Sequence, residues 1–148
     1  SNISAMQPTH NGAFIPMLAD QKVGQTFLSK LDGLGEIKVR VASPSLAGET
    51  LIMRLFDASE PARELAHVEA QLSDSFLHQW IGFSFPEIMG SAGKSFYFSI
   101  ESGNKLPGNA AHLMSSSLDL YKDGALVKNE HPEEGDLTFI ALSPKKTP

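Results

Sequence analysis

Apolar and polar residues alternate with a period of two over most of this chain. Ile37, Val39 and Val41 alternate with Lys38 and Arg40, giving one buried and one wet face of a strand. Leu51, Met53 and Leu55 share a face opposite Ile52, Arg54 and Phe56. From Trp80 to Phe85, Ile81, Phe83 and Phe85 point one way, and Trp80, Gly82 and Ser84 the other. Phe96, Phe98 and Ile100 then alternate with Ser95, Tyr97 and Ser99, and Leu137 and Phe139 with Thr138 and Ile140. Each run is short and bounded by turn chemistry: Asp32-Gly33, Ser43-Pro44, Gly90 to Gly93, Pro107-Gly108 and Asp123-Gly124. Short strands with frequent turns predict an all-β fold, a two-sheet antiparallel β-sandwich of about eight strands. A parallel sheet would need crossover helices.

One segment carries two periods. Ser59-Glu60-Pro61 resembles a helix start, and Leu65, Val68, Leu72 and Phe76 fall at helical spacing. The strand alternative puts Ala66, Val68 and Ala70 on one face and His67 and Glu69 on the other. The β context on both sides predicts strand over residues 60–72, with room for a helical turn near Ser73–Phe76, because tertiary context overrides propensity.

The ends read differently. Residues 1–20 hold Pro8, Asn11, Gly12 and Pro16 and predict an irregular lead-in, whose first six residues, SNISAM, resemble a cloning remnant. The sandwich is expected over 21–142. Residues 143–148, Ser-Pro-Lys-Lys-Thr-Pro, read as a solvated tail where a longer polypeptide continues.

Composition narrows the chemistry. At 148 residues the chain has room for one domain with a real core. It has no cysteine, which excludes disulfides, thiolate metal sites and cysteine nucleophiles. Seventeen acidic against twelve basic side chains, a net charge of -5, argue against a nucleic-acid partner. No apolar run is long enough to cross a bilayer as a helix. Gly93-Lys94-Ser95 suggests a phosphate loop, but Ile88 stands where that motif needs glycine, and a strand pattern follows instead of a helix. His10, His67, His78, His112 and His131 show no metal-ligand spacing. There is no Gly-x-Ser-x-Gly elbow, and Glu36, Glu49, Glu64, Glu69 and Glu101 are spread over separate predicted strands, so a non-catalytic protein is expected.

The order of phrases carries a resemblance. Gly24-Gln25-Thr26-Phe27, Leu34 to Arg40, Leu51–Phe56, Trp80 to Pro86, Gly93 to Phe98, Tyr121-Lys122-Asp123-Gly124, Asn129 and Gly135 to Phe139 follow one another. This order resembles jelly-roll β-sandwich modules similar to carbohydrate-binding, galactose-binding-like domains attached to bacterial membrane or cell-surface proteins. The resemblance spans roughly residues 21–142. It implies an extracytoplasmic location, periplasmic or cell-surface, a larger parent protein and a glycan partner.

Sugar rings stack their C–H faces on flat aromatic rings, so Trp80, Tyr97 and Tyr121 are the candidate ligand-binding residues. Trp80 and Tyr97 lie opposite the most apolar face of their strands, which suggests one ligand-facing surface. Arg40, Arg54 and Asn129 are candidate hydrogen-bonding partners. Modules of the resembled kind can also hold a structural calcium, for which Asp119, Asp123 and Asp136 have the right oxygens. They lack a calcium-loop spacing, so turn roles and no cofactor are expected. The alternatives are a structural or protein-interaction spacer, signalled by exposed apolar surface, and a hydrolase, signalled by two carboxylates converging in a cleft.

Overall fold

The computed structural model describes residues 2–18, 20–42, 49–72, 78–103 and 111–144. Among them run thirteen strands: β1 (Ile3–Gln7), β2 (Ala13–Pro16), β3 (Val23–Ser29), β4 (Leu34–Ala42), β5 (Thr50–Asp57), β6 (Glu60–Gln71), β7 (His78–Ile88), β8 (Lys94–Ser102), β9 (His112–Ser116), β10 (Leu126–Lys128), β11 (His131–Glu133), β12 (Asp136–Leu137) and β13 (Phe139–Leu142). They form two antiparallel sheets. The seven-stranded sheet runs β1-β13-β4-β9-β12, with β7 on the other edge of β4 and β2 beside β9. The six-stranded sheet runs β11-β10-β3-β8-β5-β6.

The two sheets pack face to face, as the period-two pattern predicts. Ile37, Val39, Val41 and Phe83 of one sheet and Leu51, Met53, Leu55, Phe96, Phe98 and Ile100 of the other share one core and are all buried. Its centre is aromatic. The Phe27 ring lies 5.9 Å from those of Phe96 and Phe139 and 6.1 Å from that of Phe98. Burying each such side chain contributes on the order of 1.5–3 kcal/mol, with about 0.5–1.5 kcal/mol more for each well-placed ring pair.

Several expectations need correction. The fold has more than about eight strands because short segments without visible alternation, β1, β2 and β10 to β12, join the sheets. The supposed lead-in 1–20 supplies β1 and β2, and Ala5 within it is buried. Ser143, assigned to the solvated tail, is buried and hydrogen-bonds to Ser4 Oγ and the Leu31 carbonyl. Asp123 lies in a turn, as its turn chemistry predicts, but that turn does not join two paired strands; the hairpin turn of this region is Asn129-Glu130, between β10 and β11, where both residues have positive φ (48° and 70°). Residues 60–71 are strand, with Ala66, Val68 and Ala70 against the core and His67 and Glu69 exposed. The Ser43-Pro44 and Pro107-Gly108 turns, the helical turn near Ser73–Phe76 and residues 145–148 lie outside the described residues.

Candidate functional site

The outer face of the six-stranded sheet carries a groove of about 510 Å³. Its shape follows from strand register. Pro132 of β11, Val127 of β10, Gly24 of β3, Ser99 of β8 and Arg54 of β5 stand directly opposite one another across five strands. The middle of that row is low, because Gly24 has no side chain and Ser99 a small one. Gly24 is required there: a Cβ would fall 1.9 Å from the Phe98 carbonyl oxygen and 2.8 Å from the Tyr97 ring. The next outward row, Thr26, Tyr97 and Phe56, forms one wall. The Tyr97 and Phe56 rings lie within 21° of parallel, with centroids 5.7 Å apart. Burial pushes the Tyr97 phenol pKa up, and the nearby Glu130 charge adds to this. Lys22 and Glu130 line the groove too, and Ala58 and Pro61 close it at the β5–β6 turn.

Arg54 is held from two sides. Its Nε donates to Glu101 Oε1 at 2.9 Å, and its Nη1 donates to Glu64 Oε1 at 2.9 Å. The His67 Nδ1 lies 3.4 Å from the same Nη1. The bonds to Glu101 and Glu64 push the guanidinium pKa above its ordinary value. A β-bulge makes this arrangement possible. Leu55 pairs with Ala66 but Phe56 pairs with Glu64, so Leu65 is the extra residue and packs against the core. Glu64 thereby comes out on the Arg54 face. The two carboxylates that converge beside the groove thus meet around one guanidinium.

The remaining sequence candidates do not join this groove as a set. Trp80 and Tyr97 do not share a surface: they stand on the outer faces of different sheets, on opposite sides of the molecule. Arg40 pairs with Trp80 across β4 and β7, its guanidinium carbon 5.4 Å from the ring centroid. Tyr121 plugs the sandwich. Its ring meets Phe139 edge-on at 5.4 Å, and its hydroxyl accepts from Leu28 N and donates to Leu28 O. Asn129 closes the β10–β11 turn and accepts from Lys22 N, at the groove's margin. Of the six candidates, Tyr97 and Arg54 line the groove.

Two of the three carboxylates considered for calcium, Asp136 and Asp119, have other partners. Asp136 is fully buried and accepts from Gln25 Nε2, Leu120 N and Tyr121 N. Burial raises its pKa, with those three hydrogen bonds opposing. Asp119 lies 3.5 Å from Lys122 Nζ. Among the described residues, no three His, Asp or Glu side chains come together as a metal site.

No protein-family model and no curated protein matches this chain. Sequence reasoning passed over Phe56, Thr26, Ser99, Val127, Pro132, Lys22 and Glu130. Phe56 was findable, since a large aromatic on the polar face of an alternating strand, two residues from Arg54, leaves a half-buried ring beside a fork of donors.

Proposed function

We propose that this chain is a non-catalytic β-sandwich module that binds glycan in the groove of its six-stranded sheet, as part of a larger bacterial periplasmic or cell-surface protein. The observation that carries this reading is the composition of the groove. An aromatic wall, Tyr97 and Phe56, stands beside a floor of mixed character, with the polar side chains of Ser99, Lys22 and Glu130 in its lining and an oriented guanidinium, Arg54, at one end. A sugar ring needs that combination, because its C–H face packs on aromatic carbon while its hydroxyls take hydrogen bonds from fixed donors. The volume falls within the range of ordinary ligand sites. The non-catalytic part is supported by Glu64 and Glu101: both are engaged by Arg54, which sits between them instead of a bond to be cleaved. The bacterial, extracytoplasmic setting rests on the resemblance of the phrase order to modules of that kind.

The experiment is a glycan-array screen followed by calorimetry with wild-type protein and Tyr97→Ala. The expected result is saturable binding that weakens by about tenfold or more in the variant, a loss of about 1.4 kcal/mol. Binding that is unchanged in Tyr97→Ala would move the site elsewhere. A screen without any binder would favour the second reading, a protein-interaction spacer. That reading draws on exposed apolar side chains outside the groove, Phe14, Leu18, Met89, Leu118 and Leu120.

A further inference from the structure

We infer that the groove takes an extended, uncharged glycan along its length, as several linked units lying across the strands. This inference rests on the glycan-binding reading and adds the class of ligand. Two observations support it independently.

The first is the groove's direction and reach. Its central row crosses from Pro132 on β11 to Arg54 on β5, which is four strand intervals. At about 4.8 Å each, that row is about 19 Å long. A single sugar ring would occupy only a fraction of it. Pro132 and Val127 line one end of the groove, and Arg54, Ala58 and Pro61 line the other, so lining side chains are available along the whole row.

The second is the charge of the groove. Its lining carries two cations, Lys22 and Arg54, and one carboxylate, Glu130. Arg54 brings two further carboxylates, Glu64 and Glu101. Two positive and three negative groups give no surplus of cations to hold an anionic chain, and the whole protein, at -5, repels one. Arg54 retains its use as a donor of fixed orientation, because Glu101 and Glu64 hold the planar fork in place. It is a positioning and specificity residue for hydroxyls.

Calorimetry on the whole chain tests this with cello-, xylo- and manno-oligosaccharides of one to six units, and with oligogalacturonates of matched length. Affinity for a neutral series should rise by about tenfold or more from one unit to four and then level off, because contacts accumulate only until the row is filled. Oligogalacturonates should bind about tenfold more weakly, and Glu130→Lys, at the exposed turn, should narrow that gap. Equal affinity for one unit and for four would overturn the extended-chain inference while leaving glycan binding standing. Preference for oligogalacturonates would overturn the uncharged class alone. Absence of binding by every probe, in a protein that still unfolds cooperatively, would overturn this inference; a glycan-array screen also without binders would overturn the glycan-binding reading beneath it.

Discussion

Gly24 is the smallest residue in the groove and the one least replaceable by a larger one. Its missing side chain is both a depth requirement and a backbone requirement, since an added methyl would strike the Phe98 carbonyl. Gly24→Ala should therefore destabilise the fold by on the order of 1–3 kcal/mol, read from urea unfolding, and an unchanged midpoint would contradict the close approach. Asp32 does comparable work at the turns. Its carboxylate accepts from Gly90 N at 2.6 Å and Ser91 N at 2.8 Å, tying the Asp32-Gly33 turn to the Gly90–Gly93 turn. Desolvation raises its pKa, but the backbone N–H groups of Ser91, Gly90, Gly33 and Ala92 together outweigh it and hold it below 3.8. The unfolded chain thus takes up the proton first as pH falls. The stabilisation from Asp32 is present above pH 3.8 and lost as pH drops through the lower folded-state value. Asp32→Asn should lose less stability than wild type between neutral pH and about pH 3, measured by urea midpoints. An equal loss would exclude this linkage. At this scale residue type was legible, as with Arg54 and Tyr97, but partners were not. Nothing near Arg54 in sequence announces that Glu101 and Glu64 flank it.

At the scale of elements, alternation was the strongest signal and located the central strands β4, β5, β7 and β8. It failed for β10 to β12, because two or three residues cannot display a period, and for β1 and β2, whose four or five residues do not alternate cleanly. The β10–β11 hairpin shows how local chemistry is overruled. Asp123-Gly124 is the better turn dipeptide by composition, yet a Cβ on Gly124 would lie 1.8 Å from the Thr26 carbonyl oxygen, and Asp136 ties down Leu120 N and Tyr121 N. That segment is held as a connection packed on β3. The hairpin turn falls at Asn129-Glu130, where Glu130 adopts φ 70° without being glycine. A left-handed conformation costs a non-glycine residue about 1–2 kcal/mol. Glu130→Gly should relieve part of this and raise the melting temperature by a few degrees, about 2–4 °C per kcal/mol for a chain of this size. A lower melting temperature would show that the Glu130 side chain contributes more than its backbone strain costs.

The whole molecule explains why the site was only partly readable. Period two says that Trp80 and Tyr97 each leave the core, but not which sheet each belongs to. That depends on β7 pairing with β4 and β8 pairing with β3 and β5, contacts between residues far apart in the chain. The two rings consequently stand on opposite sides of the sandwich. Trp80 is covered by Arg40 on one side, while Tyr97 and Phe56 wall the groove on the other. Intrinsic tryptophan fluorescence is therefore expected to stay unchanged when the groove is filled. The groove is a property of register across five strands, and the bulge at Leu65 that turns Glu64 toward Arg54 has no local sequence mark.

The most direct measurement is an amide and arginine-Nε chemical-shift titration of the isotopically labelled protein with a neutral oligosaccharide. Shifts should concentrate at Thr26, Arg54, Phe56, Tyr97, Ser99 and Val127, leaving Trp80, Arg40 and Tyr121 in place. Shifts centred on Trp80 and Arg40, or no shifts with any glycan, would contradict a binding groove on the six-stranded sheet.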